Sequence, residues 1–552
     1  MTVTSGGPDA LRVFDAETLH VYDTTLRDGT QREGLTLSVD DKLAVAAHLD
    51  DLGVGFIEGG WPGANPKDAA FFRRAAAGEL TLRHAQLAAF GATRKAGAVA
   101  ADDPQVRALV DAQTPVVTLV AKSHVGHVER ALRTTREENL AMVRDTVAFL
   151  RGEGRRVFLD AEHFFDGFLL DRDYALAVVR TAFDAGAEVV ALCDTNGGML
   201  PARLAEIVHE VSAAGLRVGI HAHNDTACAV ANSLAAVEAG ATHVQGTANG
   251  YGERAGNADL FSVVAGLEVK LGRSVLPAGA LADLVRVSHA IAEVVNVAPD
   301  PHQAWVGASA FAHKAGLHAS ALKVDPDLYQ HTDPAVVGND MRVLVSELAG
   351  RASVELKARA LDIEVDRDTV GRVIDRVKRM EAEGYSFEAA EASFELLLRE
   401  EVDATRPEFF ELESYRVITE SRPGERGSLS PAGQVAHVSE ATVKLHVKGE
   451  RVVAIGEGNG PVNALDMALR QALERAHPQL AAFELVDYKV RILEGAHGTG
   501  AITRVLVRTS DGETEWDTVG VDENVIAASW EALADAYTYG LLRGERGRNF
   551  GP

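Results

Sequence analysis

In the first half of the chain, apolar residues fall into short strand-like blocks separated by alanine-rich stretches of helical spacing. Eight blocks read as β-strands: Leu19–Asp23, Gly55–Gly59, Gln86–Gly91, Val116–Ala121, Val157–Ala161, Val189–Cys193, Arg217–Ala222 and His243–Thr247. Between them, segments such as Asp40–Leu52 and Pro201–Ala214 repeat apolar residues with the period of an amphipathic helix. Alternation of strand and helix implies right-handed crossovers onto a parallel sheet. Eight repeats predict the α/β class with a closed (β/α)8 TIM barrel, in which chemistry gathers at the C-terminal ends of the strands.

The pattern then changes. Asp325–Asp403 reads as a helical linker, with helices predicted over Val343–Arg351 and Asp368–Glu383. The Gly-, Pro- and Ser-rich stretch Glu420–Pro431 reads as a boundary loop. Beyond it, strands Ala441–Val447 and Arg451–Ile455 lead into a helix, Val462–Arg475. A second pass follows, with strands Val486–Leu493, Ile502–Arg508 and Trp516–Val521 and the helix Asn524–Leu542. A shift of 64 positions, from Gly456 to Gly520, also aligns Val462 with Ile526, Ala464 with Ala528, Ala468 with Ala532 and Leu469 with Leu533. The repeat predicts a duplicated α+β module. The expected organisation is a flexible tail over 1–17, a barrel over 18–290, helical linker subdomains over 291–424 and a C-terminal α+β domain over 425–552.

Composition narrows the class. The chain has 552 residues, 46% of them hydrophobic, and a formal net charge of −25. That charge argues against nucleic acid or an anionic membrane as partner, and an anionic substrate would need local positive charge. No run of about 18 apolar residues occurs, so no membrane span is expected. The start lacks the regions of a signal peptide. Two cysteines, Cys193 and Cys228, read as buried free thiols in a reducing, cytoplasmic setting.

Polar residues cluster where the predicted strands end. They are Arg27 and Asp28; Glu58–Gly63; Lys122–His124; Asp160–His163; Asp194–Asn196; His221–Asp225; and Asn249–Asn257. His221 and His223, two apart on a strand, face the same way. With a carboxylate they offer a site for a divalent metal such as Mg, Mn or Zn. Some of these residues have structural alternatives. Asp194 and Asp225 suit turn or helix caps, Glu58 an ion pair with a nearby cation, and Trp61 simple packing.

Three motifs taken together, Asp23-Thr-Thr-Leu-Arg-Asp-Gly-Thr-Gln31, His221-Ala-His-Asn-Asp225 and Gly252-Glu-Arg-Ala-Gly-Asn257, resemble the DRE-TIM metallolyases. The nearest branch is the Claisen-condensing acyltransferases, namely the isopropylmalate, homocitrate and citramalate synthases. The resemblance covers roughly residues 18–545, and Ile57–Asp68 and Asp160–Gly167 resemble the citramalate branch. It implies condensation of acetyl-CoA with pyruvate to (R)-citramalate and CoA, within isoleucine biosynthesis. It implies a metal held by Asp28, His221 and His223, with Asn257 as a further ligand or close neighbour. Arg27 would stabilise the developing alkoxide, and Thr195 would bind the keto-acid carboxylate. His124 would line the substrate pocket. His318, assisted by Glu162, would be the base, with His313 as a competitor. The segment holding His318 reaches over a partner's barrel in this family, so a homodimer is implied. The C-terminal domain resembles the family's regulatory domain, which implies isoleucine, or else leucine, as effector. Gly495, His497 and Gly498 could supply backbone N–H groups to its carboxylate, or form a plain hairpin turn. Two other readings remain open: a 2-isopropylmalate synthase acting on 2-oxoisovalerate for leucine biosynthesis, and a non-catalytic amino-acid sensor. No convincing extra cation for a second substrate carboxylate is seen, which disfavours homocitrate synthase.

Overall fold

The computed structural model describes residues 19–423, 435–493 and 500–549. The chain forms two compact units: residues up to Phe311 with Thr332–Asp340, and Ala312–His331 with the residues from Met341 onward. The expected tail over 1–17 lies outside the described residues.

All eight predicted strands of the first unit are present. They are β1 (His20–Asp23), β2 (Phe56–Glu58), β3 (Gln86–Ala92), β4 (Val116–Lys122), β5 (Arg156–Glu162), β6 (Val189–Asp194), β7 (Val218–Ala222) and β8 (His243–Gly246). They run parallel in chain order and close into a barrel when β8 pairs with β1, His243 opposite His20 and Gly246 opposite Asp23. The interior is filled. Tyr22, Phe56 and Phe158 are fully buried, and the Phe56 and Phe158 rings meet edge-on at 5.3 Å.

Helices surround the strands. The first, Val39–Leu52, starts with a reciprocal cap: Asp41 N donates to Ser38 Oγ at 3.1 Å and Ser38 N donates to Asp41 Oδ2 at 2.7 Å. It ends at Gly53, whose φ of 93° disfavours any side chain. Its inner face buries Val45, Ala46, Leu49 and Leu52. The helix Leu284–Val294, with Val306, Phe311 and Val337, joins the same core, so this unit runs past the expected limit at 290.

In the second unit a two-residue strand β9 (Ala312–His313) pairs in parallel with β10 (Arg342–Val343). The helices Arg351–Ala360, Arg367–Ala382 and Glu391–Asp403 pack around Val345, Val354, Val373, Phe394 and Leu398. The helix expected over Val343–Arg351 is absent; helix begins only at Arg351. Val343 pairs with His313, and Val343 and Val345 are both buried at a spacing of two, the period of extended chain.

The duplicated module is two copies of one plan. Strands β11 (Glu411–Pro423), β12 (Val435–Val447) and β13 (Glu450–Gly458) form an antiparallel sheet followed by the helix Pro461–Glu474. Strands β14 (Glu484–Ile492), β15 (Thr503–Ser510) and β16 (Glu515–Asp522) form another, followed by the helix Val525–Asn549. The boundary expected at 424/425 would separate two paired strands of one sheet, because Pro423 pairs with Val435. The sequence does not predict β11, because most of its residues are charged or polar and, among those whose side chains are described, Tyr415 and Val417 pack against the core. The repeat has a steric basis. A Cβ on Gly456 would collide with the backbone of Ala464 and Ala468, and one on Gly520 with that of Ala528 and Ala532. Each glycine lets its helix lie directly on a strand.

Gly520→Ala is therefore expected to destabilise the protein by about 1–3 kcal/mol through overpacking. Gly371→Ala, in a helix with no atom within 4 Å of the new methyl group, should stabilise it by about 0.5–1 kcal/mol. Urea unfolding of both variants checks the contrast.

Candidate active site

The turn after β1 is pinned before it delivers side chains. Backbone N–H groups of Arg27, Asp28 and Gly29 all donate to the Thr24 carbonyl, at 3.1, 2.8 and 3.2 Å. Asp23 accepts from Thr25 N at 2.8 Å and Thr25 Oγ1 at 2.7 Å. Burial pushes the Asp23 pKa up to about 7. Thr25 Oγ1 in turn accepts from Ala248 N at 2.8 Å, which ties this turn to the segment after β8.

Arg27 is held from several sides. Its Nε donates to Glu58 Oε2 at 2.5 Å, and its Nη1 lies 3.4 Å from Asp28 Oδ1. Glu58, fully buried at the end of β2, also accepts from Tyr22 OH at 2.7 Å. The Phe90 ring lies 3.9 Å from Arg27 Cζ, and Trp61 packs edge-on against Phe90 at 5.4 Å. Burial alone would weaken the guanidinium's charge, but Asp28, Glu58 and Asp160 outweigh it and raise the pKa.

Asp28, His221 and His223 converge. Asp28 Oδ2 lies 3.0 Å from His221 Nε2 and 3.9 Å from His223 Nε2. The two Nε2 atoms are 3.3 Å apart. One ligand atom from each residue falls within 4.8 Å of the others, and all three residues are buried. Burial disfavours the Asp28 charge, yet Arg27 and the two imidazoles hold its pKa well below the carboxylate range. Burial also disfavours charge on His221, but the hydrogen bond and charge of Asp28 prevail and raise its pKa. Burial and the neighbouring His221 lower His223 to about 4.

Asn257 pairs with His223 in an isolated antiparallel bridge. Its Nδ2 donates to the Tyr251 carbonyl at 3.1 Å, while its buried Oδ1 has no protein partner. An unsatisfied amide oxygen on the residue paired with His223, beside a carboxylate and two imidazoles, fits a divalent cation.

A cavity of about 660 Å3 opens here, lined among others by Arg27, Asp28, Glu162, Thr195, His221 and His223. Glu162, at the end of β5, is ion-paired with Lys122 at the end of β4, a pairing that the sequence alone does not show. Thr195 Oγ1 accepts from His163 N at 2.8 Å, and its carbonyl accepts from Arg254 Nη2 at 2.8 Å. Arg254 also grips Asp225 at 2.8 and 3.0 Å. Asp225 is thus an ion-pair partner, and it is Asn224 Oδ1 that accepts from Ala229 N, the first residue of the helix Ala229–Glu238, at 3.1 Å. Asp194 caps a turn, accepting from Gly198 and Met199 N at 3.2 and 3.1 Å.

Other expected residues lie elsewhere. His124 caps the turn Val125–His127 through Nδ1, which accepts from Gly126 N at 3.0 Å, and is not among the cavity's lining residues. His318 belongs to the second unit, on the helix Gly316–Leu322, stacked on Tyr329 at 4.1 Å and 6.2 Å from the ring of His313. Gly495, His497 and Gly498 lie outside the described residues. Both cysteines are free; Cys193 is buried against the cavity, but Cys228 is only half-buried.

Comparison with known proteins comes in three parts along the chain. The HMGL-like family model matches residues 18–291, the homocitrate synthase post-HMGL domain-like model 305–385, and the LeuA allosteric (dimerisation) domain 388–541. The chain is 66% identical over 530 residues to the (R)-citramalate synthase of Streptomyces coelicolor, covering 96% of this chain and 97% of the relative. It is 49% identical over 535 residues to the (R)-citramalate synthase of Synechocystis sp., covering 95% and 96%. It is 30% identical over 535 residues to a 2-isopropylmalate synthase of Methanocaldococcus jannaschii, covering 96% of each.

Glu58→Leu should remove one of the two buried carboxylates that flank Arg27 and cost about 3–5 kcal/mol of stability. Denaturant unfolding against the unsubstituted protein measures it.

Proposed function

Because the chain belongs to the (R)-citramalate synthase family, we propose that it is an acyltransferase that condenses acetyl-CoA with pyruvate to (R)-citramalate and CoA. The observation that carries this reading is the buried meeting of Asp28, His221 and His223 beside Arg27 at the mouth of a closed barrel.

Asp28, His221 and His223 would hold the divalent ion (Mg, Mn or Zn), and Asn257 Oδ1 has a free lone pair to join them. Bound there, the ion supplies Lewis-acid polarisation of the keto group. Arg27, immobilised by Glu58 and Phe90, presents its guanidinium where the keto oxygen gains negative charge. No reorganisation is needed at that moment, because the side chain is already fixed. Thr195 Oγ1 already accepts a hydrogen bond from His163 N, so its own hydroxyl proton is the one available to a substrate carboxylate. Abstraction of the acetyl methyl proton falls to His318, with Glu162 as its carboxylate partner and His313 as competitor. Lys122 fixes the Glu162 carboxylate in place. In this reading His318 comes from a second copy of the chain, which makes the enzyme a homodimer. The new carbon–carbon bond joins the acetyl methyl carbon to the keto carbon, and hydrolysis of the thioester releases CoA.

The duplicated C-terminal module is the regulatory part of the proposal. It would bind isoleucine, the amino acid to which citramalate leads, with leucine as the alternative, near Gly495, His497 and Gly498. Among the described residues no helix is long and apolar enough to cross a membrane. That fits a cytoplasmic biosynthetic enzyme. A 2-isopropylmalate synthase acting on 2-oxoisovalerate would use the same machinery with a larger keto-acid pocket. A non-catalytic sensor would not need Arg27, Asp28, Glu162, His221, His223 and Asn257 together.

Thiol release from acetyl-CoA with Mn or Mg should be fastest with pyruvate among pyruvate, 2-oxobutanoate, 2-oxoisovalerate and 2-oxoglutarate. Preference for 2-oxoisovalerate would move the assignment to leucine biosynthesis, and no CoA release with any of them would favour the sensor. Asp28→Asn should weaken metal binding and reduce turnover by at least tenfold; full activity of this variant in metal-free buffer would remove the metal from the reading.

A further inference from the structure

We propose that Gln245 and Asp160 form a relay that sets which nitrogen of His221 faces the metal site; the proposal rests on the metal reading above. Gln245 lies on β8 and is 1% exposed, and Asp160 lies on β5 and is 4% exposed. The Gln245 side chain spans the barrel interior. Its Oε1 is 2.8 Å from His221 Nδ1 and its Nε2 is 2.8 Å from Asp160 Oδ1. The same Nε2 is 3.3 Å from His243 Nε2.

Burial pushes the Asp160 pKa up to about 6, so near pH 7 and above its carboxylate is ionised, and these contacts then favour one arrangement of hydrogens. An ionised carboxylate only accepts, so the amide NH2 must face Asp160. Its second hydrogen is directed at the lone pair of His243 Nε2. The amide oxygen is then committed to His221 and requires a proton on Nδ1. Nε2, which points at Asp28, becomes the nitrogen offered to an ion. Reversing the amide would set its oxygen against the Asp160 carboxylate and its NH2 against His221 Nδ1. That would move the imidazole proton onto Nε2, the wrong atom for a ligand. A glutamate at 245 would place two buried carboxylates in contact. Metal-bound histidines in general have their second nitrogen oriented by such a partner. Here the partner is a neutral amide whose own direction is fixed by a carboxylate across the barrel. Gln245 and Asp160 are positioning residues, since they act through His221.

The test is Mn2+ binding to the full-length protein by calorimetry, with the visible spectrum of the Co2+-loaded protein as a second readout. Gln245→Met keeps the side-chain length and removes both ends of the relay. It should raise the Mn2+ Kd by about 10–100-fold and change the Co2+ ligand-field bands. A folded Gln245→Met protein with a Kd within twofold of the original and an unchanged Co2+ spectrum overturns the proposal. If Gln245→Met does not fold, Asp160→Asn decides. Its amide no longer dictates the direction of Gln245, so a Kd raised severalfold is expected, and an unchanged Kd overturns the relay. Asp28→Asn is the control for the reading beneath it. If Asp28→Asn binds Mn2+ as tightly as the unsubstituted protein, the metal site itself is misplaced and the relay falls with it.

Discussion

A guanidinium held between two buried carboxylates organises the mouth of this barrel. Arg27 sits against Glu58 on one side and Asp28 on the other, with Phe90 across its face. Charged side chains withdrawn this far from solvent are expensive unless each is matched. Tyr22 gives Glu58 a second hydrogen bond, and the imidazoles of His221 and His223 share the charge of Asp28. The arrangement therefore needs contributions from β1, β2 and β7 at once, which closure of the sheet through β8 and β1 brings together.

Much of this was legible in the sequence. Each barrel strand is a short apolar block buried on both faces, so the blocks stand out even without alternation. The spacing of His221 and His223 and the acidic Asp28 after β1 were visible for the same reason: chemistry collects where strands end. What stayed hidden depends on pairing across the fold. Lys122 beside Glu162 joins β4 to β5, and Gln245 beside Asp160 joins β8 to β5. Nothing in either segment alone names its partner. A helix cap is one of the roles the sequence allows Asp225, yet Arg254, 29 residues on, claims it as an ion pair.

The errors in the second unit have a common cause. Val343–Arg351 has apolar residues at spacings compatible with helix, but Val343 is held as strand against His313 and a turn over Ser346–Ala349 follows before helix begins at Arg351. β11 looks like surface chain because most of its residues are charged or polar, and Tyr415 and Val417 pack against the core from within that polar stretch. In both cases a tertiary contact decided between local alternatives of similar energy. The duplicated module shows the reverse. There the repeat of Gly456 at Gly520 was readable, and its reason, a helix backbone resting on a strand, emerged only from the fold.

Closure of the barrel through β1 and β8 has a consequence for synthesis. The N-terminal strand emerges from the ribosome early, yet its hydrogen-bonding partner on one side is made more than two hundred residues later. Until then β1 is an open edge on the nascent polypeptide. Asp28 comes from the first strand's end and Asn257 from beyond the last. The proposed ion cage therefore cannot assemble in stages along the growing polypeptide, and a prematurely terminated chain that lacks β8 would present the Arg27–Asp28 turn without the segment that anchors it.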